Sequence, residues 1–209
     1  MTTTFIRNAW YVAARSEEIA DKPLGRTICN EKIVLFRSKD GIAAVEDFCP
    51  HRGAPLSLGF VRDGSLVCGY HGLEVDCQGK PQSMPMQRVQ GFPCIRSYAV
   101  VERYGFIWFW AGDKEKADET LLPYLEWAES EEWAYGGGLF HINADYRLMI
   151  DNLMDLTHET YVHANSIGQK EIDETPLKTT VNGDVVTLER KMDNVYAPPF
   201  WQTCMRSKG

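Results

Sequence analysis

No stretch of this sequence approaches the roughly 18 uninterrupted apolar residues that would cross a bilayer. The opening segment, MTTTFIRNAWYVAARSEEIA, has no charged n-region followed by an apolar h-region. Together these absences lead us to expect a cytoplasmic protein. Positive charge is also short: 22 Lys and Arg face 29 Asp and Glu, a formal net charge of -7. Phosphate-backbone binding rests on clustered Lys and Arg, so nucleic acid is not an expected partner. There is no internal repeat and no low-complexity run. In a reducing compartment six cysteines are more often ligands or buried thiols than disulfides. Cys29, Cys77, Cys94 and Cys204 have no partners at ligand spacing and read as structural fill. Histidine is scarce, at five residues, and that scarcity makes its placement informative.

What is present is ample apolar material: 44% hydrophobic residues, with six Trp, nine Phe and nine Tyr to fill a core. A length of 209 residues suits one large domain or two small ones. Residues 5–110 read as an all-β domain of short strands between turn signals. Phe5 to Ala13 opens it, Ser16 with Glu17 and Glu18 caps a short helical turn, and strands are expected over Arg26 to Cys29, Lys32 to Arg37, Ile42 to Glu46 and Phe106 to Trp110. Lys39 to Gly41, Asp63-Gly64, Gln78-Gly79 and Tyr104-Gly105 supply turns. Residues 111–123, polar and closed by a proline, read as a linker. A second, α+β domain over 124–209 is expected to hold a short helix from Tyr124 to Trp133 and a strand from Gly136 to Ile142. A helix from about Tyr146 follows, then a hairpin turning at Asn182-Gly183.

Four of the five histidines fall in two motifs, and His141 is left without a role. The first motif is a pair of loops, Cys49-Pro-His51-Arg and Cys68-Gly-Tyr-His71-Gly, with sixteen residues between His51 and Cys68. Two Cys and two His are a common zinc set, but zinc fingers usually run Cys, Cys, His, His. Here the types alternate. Alternation lets each loop give one ligand to each iron of a [2Fe-2S] cluster, both cysteines on one iron and both histidines on the other, which is the Rieske arrangement. Neutral imidazoles in place of two thiolates raise the cluster potential. Pro50, Gly53, Pro55, Gly69 and Gly72 suit tight loops, with backbone N–H groups expected to point at sulfur.

The second motif is Asp151 to His163, DNLMDLTHETYVH. At about 100° per residue of α-helix, Asp151, Asp155 and His158 share a stripe opposite Met149, Leu153, Leu156 and Thr160. A core-packed helix with a solvated charged side would explain a lone histidine. Two imidazoles near carboxylates are the ingredients of a 2-His-1-carboxylate Fe(II) site. His158 and His163, five residues apart, would point about 140° away from each other on an ideal helix. The helix is therefore expected to end, break or bulge between them.

Beyond these motifs, FIRNAWYVAA, DKPLGRTICNEKIV, AVEDFCPHRGAPLSLG, LVCGYHGL, YAVVERYGFIW, EWAYGGGLFH, DYRLMIDNLMDLTHETYVHA and SIGQKEID resemble the Rieske non-haem iron aromatic-ring oxygenases over nearly the whole chain. The resemblance implies an N-terminal all-β Rieske [2Fe-2S] domain followed by the first part of an α+β catalytic domain with a mononuclear iron. It makes Cys49, His51, Cys68 and His71 the cluster ligands and His158 and His163 two of the three Fe(II) ligands. Asp155 becomes the bridge between the Rieske histidine of one subunit and the iron histidine of its neighbour in a head-to-tail homotrimer, and Asn152 lies near the iron. The implied activity is that of an O-demethylating oxygenase component. It uses O2, and electrons from NADH through a flavin and iron–sulfur reductase, to hydroxylate the methoxy carbon of an aromatic acid. With vanillate the products are protocatechuate and formaldehyde.

The family's third iron ligand is an Asp on a later helix, and no residue here matches it. Asp173 and Glu174 come too soon, in a stretch that reads as loop. The expectation is a chain that lacks the C-terminal part and is inactive alone. Two other readings stay open: a non-enzymatic Rieske electron carrier, and an oxygenase acting on another aromatic acid.

Overall fold

The computed structural model describes residues 4–206. The chain divides into two compact units, one ending at Gly138 and the other beginning at Leu139.

The first unit is built from eleven strands: β1 Trp10–Arg15, β2 Leu24–Ile28, β3 Glu31–Ser38, β4 Gly41–Glu46, β5 Phe60–Arg62, β6 Ser65–Val67, β7 Glu74–Val75, β8 Pro81–Ser83, β9 Ser97–Tyr98, β10 Val100–Arg103 and β11 Phe106–Trp110. They form three antiparallel sheets, ordered β1-β11-β10, β2-β3-β4-β9 and β5-β6-β7-β8. The second of these lies between two cores. Side chains alternate across a strand, so Val34 and Phe36 of β3 join Ala43 and Val45 of β4 in one core. Ile33, Leu35 and Ala44 face the other, with Ile107, Phe109 and Tyr98. A sheet buried on both faces reads as a near-continuous apolar run, and Ile-Val-Leu-Phe at 33–36 is that run.

Most turn expectations match. Asp63-Gly64 and Tyr104-Gly105 each carry two positive φ angles, 51° and 80° in the first and 60° and 76° in the second, as two-residue hairpins require. The first strand starts at Trp10 rather than Phe5, because Asn8 sits at φ 54° and turns the chain before pairing begins. Ser16 opens the expected turn, Ser16–Glu18, but Arg15 is its cap, with its N–H donating to Glu18. Residues 111–123 hold two 3₁₀ turns, Lys114–Lys116 and Glu119–Leu121. Indole N–H groups of Trp110 and Trp10 donate to the carbonyls of Asp113 and Asp118 at 2.9 and 2.7 Å. The helix expected over Tyr124 to Trp133 shrinks to one 3₁₀ turn, Glu126–Ala128, with no buried residue to hold a longer one. The strand expected from Gly136 to Ile142 does not form. These residues are exposed and unpaired with any strand, and three successive glycines make ordering them costly. His141 lies in this irregular stretch.

The second unit comprises α1 Tyr146–Met154, α2 Glu159–Val162, α3 Glu171–Glu174, the hairpin β12 Lys178–Asn182 with β13 Val185–Glu189, and α4 Pro199–Met205. Asn182 pairs with Val185, so the hairpin turns on Gly183-Asp184, one residue later than expected, with Gly183 at φ 58°. Asp173 and Glu174 are helical, in α3, rather than in a loop. Of the four cysteines expected as fill, Cys29 and Cys77 are half-buried, whereas Cys94 and Cys204 are exposed and fill nothing. Among the described residues, no helix is long and apolar enough to cross a membrane.

Candidate metal centres

The two Cys/His loops share one backbone design. Cys49 N–H donates to Ala54 O and Gly53 N–H donates to Cys49 O, both at 2.8 Å. Cys68 N–H donates to Leu73 O at 2.8 Å and Gly72 N–H donates to Cys68 O at 2.9 Å. Each loop is closed by a glycine in the left-handed region, Gly53 at φ 72° and Gly72 at φ 71°, which a Cβ would strain. The histidines occupy different steps of this shared frame. His51 comes two residues after its cysteine and His71 three after.

The cysteines point inward, 1% and 2% exposed, into the core that holds Val34 and Phe36. His51 is half-buried and His71 exposed. Their rings meet edge to face with centroids 4.8 Å apart, Phe92 lies 5.6 Å from His51 and Tyr70 3.9 Å from His71. Burial pushes the Cys49 thiol up, the His51 amide donated to its sulfur pulls it down, and the adjoining Cys68 thiol pushes it up again. The Arg52 amide also donates to that sulfur. Two thiolates side by side in a core are unfavourable without a cation, and iron supplies one. Partial desolvation, then His71 and Arg52, hold the His51 imidazole below its usual range, which favours the neutral form that ligates metal. The donor set thus fits a [2Fe-2S] cluster, two thiols on the buried side and two imidazoles on the outer side. Sequence reasoning missed the clamp beneath the first loop, where the Asp47 carboxylate accepts the Ser57 N–H at 2.7 Å and the Ser57 hydroxyl at 2.6 Å.

In the second unit the helix breaks. Asp145 caps α1 by accepting the Arg147 N–H, and α1 ends at Met154. Asp155 then leaves helical geometry at φ -93°, ψ 87°, and its carboxylate caps a 3₁₀ turn, Leu156–His158. That turn runs into α2, which stops at Val162. The continuous stripe of Asp151, Asp155 and His158 is therefore corrected: the break comes before His158, and the chain leaves helical form again at His163, φ -114°, ψ 24°. With His158 closing the 3₁₀ turn and His163 outside helical geometry, the 140° divergence of an ideal helix gives way to ring centroids 5.4 Å apart. His158 Nδ1 is hydrogen-bonded to the Asp155 carbonyl, a contact that assigns the proton to Nδ1 and leaves the Nε2 lone pair for a metal. Asn152 Nδ2 lies 3.4 Å from that Nε2. Among the described residues, no three His, Cys, Asp or Glu side chains converge as around a single ion. The imidazole pair accordingly has no third donor of those types here.

Comparison with known proteins agrees with these motifs. Residues 9–99 match the Rieske [2Fe-2S] domain and residues 142–209 match the vanillate O-demethylase oxygenase C-terminal domain. The chain is 72% identical over 206 residues to a vanillate O-demethylase oxygenase subunit of Pseudomonas sp. (strain HR199 / DSM 7063), covering 98% of this chain and 58% of that protein. It belongs to the Rieske non-haem iron oxygenases. Another member of that family, the oxygenase component of dicamba O-demethylase from Stenotrophomonas maltophilia, is 46% identical over 164 residues, covering 77% of this chain and 48% of that protein. The crystal structure of dicamba monooxygenase bound to 3,6-dichlorosalicylic acid superposes with a TM-score of 0.87 at 38% identity, over 98% of this chain and 61% of that one. The matched region thus spans 48–61% of the length of these Rieske oxygenases.

Proposed function

We propose that this chain carries the Rieske domain and the iron-holding segment of an aromatic O-demethylase oxygenase component, with vanillate as substrate. The observation that carries the reading is the pairing of His158 with His163, in a chain whose other unit holds a complete Cys₂His₂ donor set. An electron carrier needs no second imidazole pair. The 72% identity to a vanillate O-demethylase subunit supports the choice of substrate.

In this reading Cys49 and Cys68 would hold one iron of the cluster, His51 and His71 the other, and His158 and His163 would hold Fe(II). When bound, the two centres supply electron storage and O2 activation, the chemistry that side chains cannot perform. The Asp155 carbonyl fixes the His158 tautomer, and the Asn152 amide stands beside the metal-facing nitrogen. The Asp155 carboxylate bridges to the Rieske histidine of a neighbouring copy in a head-to-tail ring, a closed heterologous assembly. The balanced reaction takes vanillate, O2, NADH and a proton to protocatechuate, formaldehyde, NAD and water. One oxygen atom enters the methyl C–H bond, and the resulting hemiacetal loses formaldehyde. A flavin and iron–sulfur reductase delivers the electrons. The absence of disulfides among the six cysteines suits a cytoplasmic location.

The test is iron and acid-labile sulfide analysis of the complete polypeptide, together with formaldehyde release from vanillate under NADH and reductase. About three irons and two sulfides per chain, with formaldehyde formed, is the expected result. About two irons with two sulfides would leave the cluster alone and make an electron carrier the better reading. A full iron complement with turnover of a different aromatic acid would move the substrate and keep the chemistry.

A further inference from the structure

Arg190, just past the end of β13, reaches back to the segment that carries His158. Its Nη2 donates to the Thr157 hydroxyl at 2.8 Å, and its Nη1 donates to the carbonyl of Ile172 in α3. Its Nε is buried without a partner, so the guanidinium is held in place through its two terminal nitrogens. Thr157 is thereby held at both ends: its hydroxyl by Arg190, and its N–H by the Asp155 carboxylate at 3.0 Å. His158 is the next residue, and its Nδ1 is tied to the Asp155 carbonyl. A displacement of Thr157 therefore shifts both the turn that carries the imidazole and the group that sets its tautomer.

We propose that Arg190, acting through Thr157, is a positioning residue for His158 as an Fe(II) ligand; this rests on the reading of His158 and His163 as the iron pair. A planar guanidinium can grip two acceptors on different elements at once, which an ammonium on a flexible stem does not reproduce. Groups that orient a ligating histidine typically govern metal affinity by about 10–100-fold.

The test uses the complete polypeptide with its cluster loaded and the mononuclear ion removed, titrated anaerobically with Fe(II) by calorimetry. Thr157→Val keeps the shape and loses the acceptor, Thr157→Ser keeps the acceptor, and Arg190→Gln removes the fork. Thr157→Val and Arg190→Gln are expected to weaken Fe(II) binding about 10–100-fold. Thr157→Ser should stay near the parent, and the visible spectrum of the cluster should not change. Because the two residues act through one contact, the double variant should bind no more weakly than the weaker single variant. Parent-like affinity in Thr157→Val would overturn the proposal, as would equal loss in Val and Ser, or additive loss in the double variant. A parent protein that takes up no Fe(II) would overturn the iron-site reading itself, which is a separate failure.

Discussion

At Asp155 one side chain and one carbonyl meet the same turn from two directions. The carboxylate accepts the Thr157 N–H and the carbonyl accepts from His158. The proposed role in carrying electrons between subunits would be superimposed on this capping role, and substitutions separate the two. Asparagine also caps helical turns, whereas alanine at such a position costs about 0.5–2 kcal/mol. Asp155→Asn is therefore expected to keep its mononuclear iron while losing most formaldehyde formed per NADH, and Asp155→Ala to lose part of the iron as well. Metal analysis beside product yield checks this. Normal yield in Asp155→Asn would remove the bridge role, and identical iron loss in both variants would remove the cap. The spacing of His158 and His163 signalled a departure from helix between them, and the helix does end at His163, but the apolar periodicity on either side of Asp155 concealed the earlier break. Arg190 gave no such signal, because its partners lie eighteen and thirty-three residues away along the chain.

Strand β3 shows how an element ties the cluster loops to the rest of the unit. Phe36 is fully buried on the face that also holds Cys49 and Cys68, and Leu35 is fully buried on the opposite face. Truncating Phe to Ala in a core costs about 3–5 kcal/mol and Leu to Ala about 2–5 kcal/mol. Phe36→Ala should lower stability and also perturb the visible spectrum of the cluster. Leu35→Ala should lower stability by a similar amount and leave the spectrum alone. Chemical denaturation followed at both signals distinguishes them, and a spectral change in Leu35→Ala would contradict the separation of the two faces. Elements such as β11, and the turns at Asp63-Gly64 and Tyr104-Gly105, were legible because local chemistry alone specifies them: an apolar run ending in tryptophan, or a glycine at positive φ. The segment from Tyr124 to Ile142 was not. Its aromatic residues imitate helix and strand patterns, but too few of them are buried to stabilise either form.

Across the first unit, several ion pairs join residues far apart in sequence. Glu31 receives Arg7 and Arg96, and Glu102 receives Arg37. Burial works against the Glu31 carboxylate, but Arg7, Tyr98 and Arg96 outweigh it and hold its pKa below the ordinary value. A depressed folded-state pKa contributes stability that is present above the unfolded value, about 4.3, and is lost as pH falls through the folded one. Glu31→Gln should therefore be less stable than the parent at pH 7, with the gap closing under acid conditions where both side chains are neutral. Thermal melts across that range measure it, and a gap independent of pH would refute the assignment.

The middle sheet, shared by two cores, also sets how this unit comes apart. Neither core can open while its own wall stays packed against the other, so partial opening on the cluster side is penalised by the far side as well. The unit is therefore expected to behave as a single cooperative foldon, with the backbone amides of Val34 to Phe36 the last in it to exchange with deuterated solvent.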